Sequence, residues 1–404
     1  MLFSQLKALP RTTWVLFAGA FINRFGNFVV AFLVLYMLQR GYSIFQAGLA
    51  ASIYGLGSIV ASGVGGYLAD RLGRRNTIAL SMFGAAAVLL LLSQLEQVIL
   101  IIVFAGLAGL AAEMYRPATS ALLTDLIPAN QRVTGFALYR LAINAGVAAG
   151  PAVGGLLADH SFFLLFLGDA VTSFFFGAIV LLAMPAEQRY HYPQHHTERF
   201  FSTIRSDRRF LLFLAASTAI AFVYFQSLST LALHVRESGL SSSIYGALLS
   251  LNGLMIVLLE LPLTTFSQRL PARWVMSLGL LLIGVGFGLT AVARTVPTLI
   301  GTVVIWTLGE MLNAPIAAAH IATLAPAHLR GRYQGIWGLT AGAGLIGGPA
   351  LGTQIFIWSP QGLWIVCGIL GVLASLLVFS SQTDQKLPAS LPLAASSESR
   401  SEAP

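Results

Sequence analysis

Gly66-Tyr67-Leu68-Ala69-Asp70-Arg71-Leu72-Gly73-Arg74-Arg75 sets four charges in one short connection between two long apolar stretches. Only 9% of the 404 residues are charged, so this density needs a cause. A loop on the cytoplasmic side of a membrane accounts for the three arginines. It does not account for Asp70, nor for Gly66 and Gly73, which bracket the charges.

Outward from this run the chain is apolar. Hydrophobic residues make up 56% of it and the mean hydropathy is +0.80. A soluble domain carries about 25% charged residues, so a soluble catalytic domain has no place here. Spans of about 20 apolar residues are expected near 14–37, 43–66, 76–94, 97–125, 132–157, 162–184, 210–234, 241–264, 273–293, 297–324, 331–356 and 361–380. The many Gly and Ala residues suit close helix packing in lipid.

Seventeen of the 23 basic residues lie on the side that holds the quoted run, and three, Arg40, Arg236 and Arg294, on the other. Both termini are therefore expected in the cytoplasm. The net charge of +8 belongs to this asymmetry, so nucleic acid is not expected as a partner. Cys367, the one cysteine, lies in an apolar run, which excludes internal disulfides and cysteine-ligated metal. No cofactor or metal site is expected. The first apolar run follows Lys7 and Arg11 and reads as a full span, not as a cleaved signal. The stretch 185–209, with His191, His195 and His196, reads as a solvated cytoplasmic linker, and 381–404 as a disordered tail.

The chain repeats at 198 residues without a gap. Gly41 matches Gly239, Ser43 matches Ser241, Arg71 matches Arg269, Pro117 matches Pro315, and Gly150-Pro151 matches Gly348-Pro349. The expected architecture is an all-α membrane protein of twelve spans, with one six-helix bundle over 1–184 and another over 210–380. A substrate site would lie at the midplane between them.

The quoted run resembles the G-x-L-A-D-R-x-G-R-R signature between the second and third helices of the major facilitator superfamily, and it matches every fixed position. The resemblance implies that Asp70 caps the N-terminus of the eleventh helix, near Gly331-Arg332, when the protein faces outward. It also implies that Asp70 forms a gate relay with Arg74 and Asp125, to which Gly66, Arg71, Gly73 and Arg75 belong. A second run, Gly146-Val147-Ala148-Ala149-Gly150-Pro151-Ala152-Val153-Gly154-Gly155, resembles the helix-five motif of drug/proton exchangers, G-x-x-x-G-P-x-x-G-G. In that subgroup this face is taken to contact the other half and to oppose leak. Arg116, in Tyr115-Arg116-Pro117-Ala118, occupies the place of the exchangers' helix-four arginine.

Seven ionisable residues fall inside spans: Arg24, Glu113, Arg116, Arg140, Asp169, Glu260 and Glu310. Such residues are functional candidates by default. Arg24, Arg116 and Arg140 share a depth near mid-bilayer, and Glu113 and Arg116 share a helix face. Glu310 stands alone in the second half, with Trp306 and Asn313 on its face, and a carboxyl withdrawn from water can carry a proton. Glu310, Glu113 and Asp169 are the candidate proton-coupling residues. Arg24, Arg116, Arg140, Tyr115, Asn313 and Trp306 are the candidate cavity residues. Glu260 is read as reaching toward the cytoplasmic headgroups or a basic residue there.

The expected function is secondary active transport by alternating access, as proton-coupled efflux of small amphipathic compounds in a bacterial plasma membrane. The expected partners are a small-molecule substrate, protons and the lipid bilayer, and the chain is expected to act as a monomer and not as an enzyme. The alternative is a proton-coupled importer of a zwitterionic or anionic solute such as a small peptide. Asn23-Arg24-Phe25 faintly echoes the E-x-x-E-R-[FY] pattern of peptide/proton symporters, with Ala20 and Asn23 where that pattern has its acids.

Overall fold

The computed structural model describes residues 9–128, 131–184, 207–324 and 330–381. Among these, every regular element is helical. In chain order they are α1 (Arg11–Phe25), α2 (Val29–Gln39), α3 (Ile44–Leu72), α4 (Arg74–Gln94), α5 (Val98–Glu113), α6 (Tyr115–Leu126), α7 (Arg132–His160) and α8 (Phe162–Ala183). The second half contains α9 (Arg208–Tyr224), a 3-10 turn (Phe225–Leu228), α10 (Thr230–Glu237), α11 (Ser242–Ser267), α12 (Ala272–Leu289), α13 (Val296–Leu324), α14 (Arg330–Trp358) and α15 (Pro360–Ser381). Eleven helical segments among the described residues are long and apolar enough to cross a membrane. Of the linker and tail, 185–206 and 382–404 lie outside the described residues, as do the side chains at 331 and 332.

Three expected spans are broken. The first stops at Gly26-Asn27-Phe28. A Cβ on Gly26 would fall 1.8 Å from the Thr172 hydroxyl, so only glycine lets α8 approach there. The Asp169 carboxylate, buried on α8, accepts the Val29 N–H at 3.0 Å and satisfies the freed start of α2. Asp169 thus holds the break in the first span. The fourth span breaks at Met114, between α5 and α6. Pro117 contributes to it, since it has no N–H to donate to the carbonyl of residue 113. The seventh span breaks at the 3-10 turn, the repeat position of the first break. There the Gln226 amide donates to the carbonyls of Phe222 (2.9 Å) and Gly348 (3.1 Å).

Gly73 explains one glycine of the opening run. It joins α3 to α4 with φ +87°, a conformation that side-chain-bearing residues rarely adopt. Gly66 is different, because nothing lies within 4 Å of its would-be Cβ.

Candidate functional site

Call the end of the molecule with the turns at 40–43 and 238–241 the outer end, and that with the Gly66–Arg75 run the inner end. Two seams join the halves of the chain, α3 with α14 and α7 with α11. Toward the outer end both are tight. A Cβ on Gly246 would lie 2.1 Å from the Pro151 carbonyl oxygen, one on Gly253 2.5 Å from the Ala148 Cα, and one on Gly55 2.9 Å from the Leu345 carbonyl oxygen. Ser52 Oγ donates to the Ile346 carbonyl at 2.8 Å, and Ser250 Oγ accepts the Ala152 N–H at 2.8 Å. Toward the inner end, Gly63 and Gly66 of α3 and Gly335 and Gly338 of α14 all face open space.

Two neighbouring cavities occupy the space behind the closed end. The larger, about 570 Å³, is lined by Arg24, Asn27, Tyr54, Ser58, Glu113, Arg116 and the α14 face from Gly335 to Leu345. The smaller, about 270 Å³, is lined by Tyr224, Phe225, Ile283, Glu310, Asn313 and Trp337. Phe225, Gly338 and Ala341 border both.

The wall of the larger cavity carries a neutralised cluster. Glu113 accepts from Arg24 at 3.2 and 3.4 Å and also pairs with Arg116. Arg24 is 6% exposed and Glu113 12%, whereas Arg116 is 58% exposed and forms the accessible edge of the cluster. The Arg24 guanidinium lies 5.6 Å above the Tyr115 ring. The break at Met114 helps here, since it ends α5 at Glu113 and starts α6 just before Arg116.

The smaller cavity holds Glu310. Its Oε2 accepts from Asn252 Nδ2 at 2.9 Å, and Asn252 also donates to Thr307 Oγ1 at 3.1 Å. Tyr224 lines the same cavity. Among the described residues Glu310 forms no ion pair. Arg140, expected on the cavity, is 70% exposed and pairs instead with Glu260 across the α7–α11 seam at 3.1 Å.

Two aromatic residues expected on the wall stand behind it. Tyr115 is fully buried with its ring edge-on to Phe176, and Trp306 is buried between Phe287 and Tyr224. Large rings gain more from filling the bundle than from facing a wet cavity. Asn313 does line the smaller cavity. Asn252 and Tyr54 were not singled out by sequence reasoning; they are repeat positions of one another, polar side chains in otherwise apolar spans, and that was the available signal.

In the opening run, Arg74 pairs with Asp125, Arg75 donates to the Leu181 carbonyl, and Arg71 donates to the Tyr67 hydroxyl at 2.9 Å. The expected contact of Asp70 near 331–332 falls on side chains outside the described residues. In the helix-five run, Gly146 and Gly150 pack against the α1 backbone at Phe21 and Phe25, and Gly154 against Phe28 and Phe32. All three therefore face the first span of their own half. Gly155, against Ser242 and Ser243, is the glycine of that run which reaches α11.

The family model described as the Major Facilitator Superfamily matches residues 16–241 and 228–402. An uncharacterised MFS-type transporter, YttB of Bacillus subtilis, is 30% identical over 355 residues, 85% of this chain and 88% of that one. The Na(+), Li(+), K(+)/H(+) antiporter of Planococcus maritimus is 26% identical over 364 residues, covering 81% and 86% of the two chains. The multidrug resistance protein MdtH of Aeromonas hydrophila is 25% identical over 380 residues, covering 90% and 94%. Among solved structures, a POT family transporter in complex with 5-aminolevulinic acid superposes with a TM-score of 0.79 at 17% identity, over 92% of this chain and 96% of that one.

Proposed function

The chain belongs to the Major Facilitator Superfamily, multi-pass membrane transporters of small molecules, and within it we propose a proton-coupled exporter of small amphipathic cations. The observation that carries this reading is the setting of Glu310. It is an acid in an apolar, aromatic-lined cavity, bonded by the neutral amide of Asn252. A carboxylate so placed can be satisfied by a proton or by a substrate cation, and either one displaces the other. Tyr224, Phe225 and Trp337 suit the apolar body and the charge of such a substrate. An antiporter and a multidrug resistance protein among the relatives support this reading.

On this reading, twelve helices form two six-helix bundles in a bacterial plasma membrane, with both termini in the cytoplasm and one chain as the working unit. The closed outer seams and open inner glycines are those of an inward-open state. From it, substrate binds at Glu310; after reorientation, a proton arriving from outside replaces it. Arg116, exposed at the cavity edge, supports a second reading, in which the larger cavity takes the negative group of an imported anionic or zwitterionic solute.

The test is transport in proteoliposomes with an imposed pH gradient and a fluorescent lipophilic cation, comparing wild type with Glu310→Gln. Cation movement opposite to proton flow, lost in the variant, is expected. Movement of peptides or anions together with protons, dependent on Arg116 and indifferent to Glu310, would replace the first reading with the second.

A further inference from the structure

Asp159 sits in the last turn of α7, at the outer end of the seam with α11. Its carboxylate crosses that seam. One oxygen accepts the Ser242 N–H at 2.8 Å and the other the Ser243 N–H at 3.0 Å. These are the first N–H groups of α11, which have no partner within their own helix, at the positive end of its dipole.

The internal repeat shows how specific the contact is. Ser43 and Ser241, repeat positions 198 apart, cap α3 and α11. Ser43 completes a capping box with Gln46, at 3.0 and 3.2 Å, so α3 satisfies the Ser43 and Gln46 N–H groups from its own residues. At the matching place α11 has Ile244, which offers no acceptor, and Ser241 alone accepts the Ile244 N–H at 3.4 Å. Asp159 takes two further N–H groups of that start, those of Ser242 and Ser243, from across the seam. Its own repeat position, on α14, is Ile357, so the α3–α14 seam has no equivalent acid. The acid and the helix start with the weaker local cap thus occur on the same seam and on opposite halves. A cavity of about 240 Å³, lined by Asp159, Arg236, Ser241 and Ser242, lies against the contact.

We propose that Asp159 is an outer latch. Its carboxylate holds α11 against α7 while the inner side is open, and it must release Ser242 and Ser243 before the outer side parts. The inference rests on the alternating-access reading above, in which Asp70 guards the inner end of the other seam.

The experiment places a reporter cysteine at Val30, which lines the larger cavity. Cys367 is fully buried and leaves the background low. A membrane-impermeant maleimide is applied to intact cells, where it reaches only the outer face, and to inside-out vesicles. In wild type, labelling is fast from the inner face and slow from the outer. Asp159→Ala is expected to raise the outer rate about tenfold, the effect of losing hydrogen bonds to a charged group. Ser242→Pro deletes one donor at a helix position that tolerates proline. It should act in the same direction and add nothing to Asp159→Ala. Outer labelling unchanged in both variants, with inner labelling intact, would overturn the latch alone. A reporter that labels from neither face in any variant would overturn alternating access and the latch with it.

Discussion

Glu113 and Glu310 lie on equivalent stretches of the two halves, one residue out of register in the repeat, and are held in opposite ways. Glu113 is enclosed by two arginines, one of them buried. Glu310 is held by the neutral amide of Asn252. Removing one member of a buried ion pair strands the other, while removing a charge held by neutral donors strands nothing charged. One half therefore uses its acid to hold two helices together, and the other keeps its acid available.

The contrast is most easily broken at Glu113. Glu113→Leu leaves Arg24 buried without its partner and should cost about 3–5 kcal/mol, read as a fall in melting temperature in detergent. Arg24→Leu on top of it should recover most of the loss. A melting point unchanged by Glu113→Leu would mean that the cluster is not structural.

Next comes the glycine contrast between the closed and open parts of the molecule. Gly150→Ala drives a methyl against the Phe25 carbonyl and should cost about 1–3 kcal/mol. Gly66→Ala meets open space in this state and should leave stability unchanged or raise it by up to about 1 kcal/mol. If α3 and α14 close around Gly66 during the cycle, its transport rate falls all the same.

Arg140→Gln breaks a pair whose cation is 70% exposed and should cost at most about 1 kcal/mol. Glu310→Gln should have the smallest effect on melting, below about 1 kcal/mol, and yet abolish gradient-driven transport. A large loss of stability in Glu310→Gln would put both acids in the same structural role.

Most of the frame was legible from hydropathy. Where unbroken spans were expected, as at 162–184 and 361–380, the helices Phe162–Ala183 and Pro360–Ser381 agree to within a residue or so. The breaks were not legible, because hydropathy registers side chains and is blind to whether backbone bonds continue. Gly26 and Pro117 were visible signals, but Pro315, the repeat position of Pro117, stands inside the uninterrupted α13, so the residue type alone does not decide.

The charged site was only partly legible for a related reason. Arg24, Glu113, Arg116, Arg140 and Asp169 have Phe222, Met311, Ala314, Gly338 and Cys367 at their repeat positions. The frame is symmetric and the charges on it are not, so the repeat places the helices but not the partners. Arg24 with Glu113, and Arg140 with Glu260, meet across distances in sequence that no spacing rule covers.

The outer seams contain glycine against backbone at Gly246 and Gly253 and against Leu345 at Gly55, with the buried Tyr245 ring packed on Phe32 of the other half beside them. The glycine surfaces do not interlock, so of the large side chains it is Tyr245 that has to leave its neighbours when the seams part. The resistance to separation then resides in a few polar contacts, those of Ser52, Ser250, Asp159 and Tyr245. The tempo of the cycle should follow the lifetimes of those hydrogen bonds more than the area of the seam, so that changing one hydroxyl alters turnover more than trimming an apolar residue nearby.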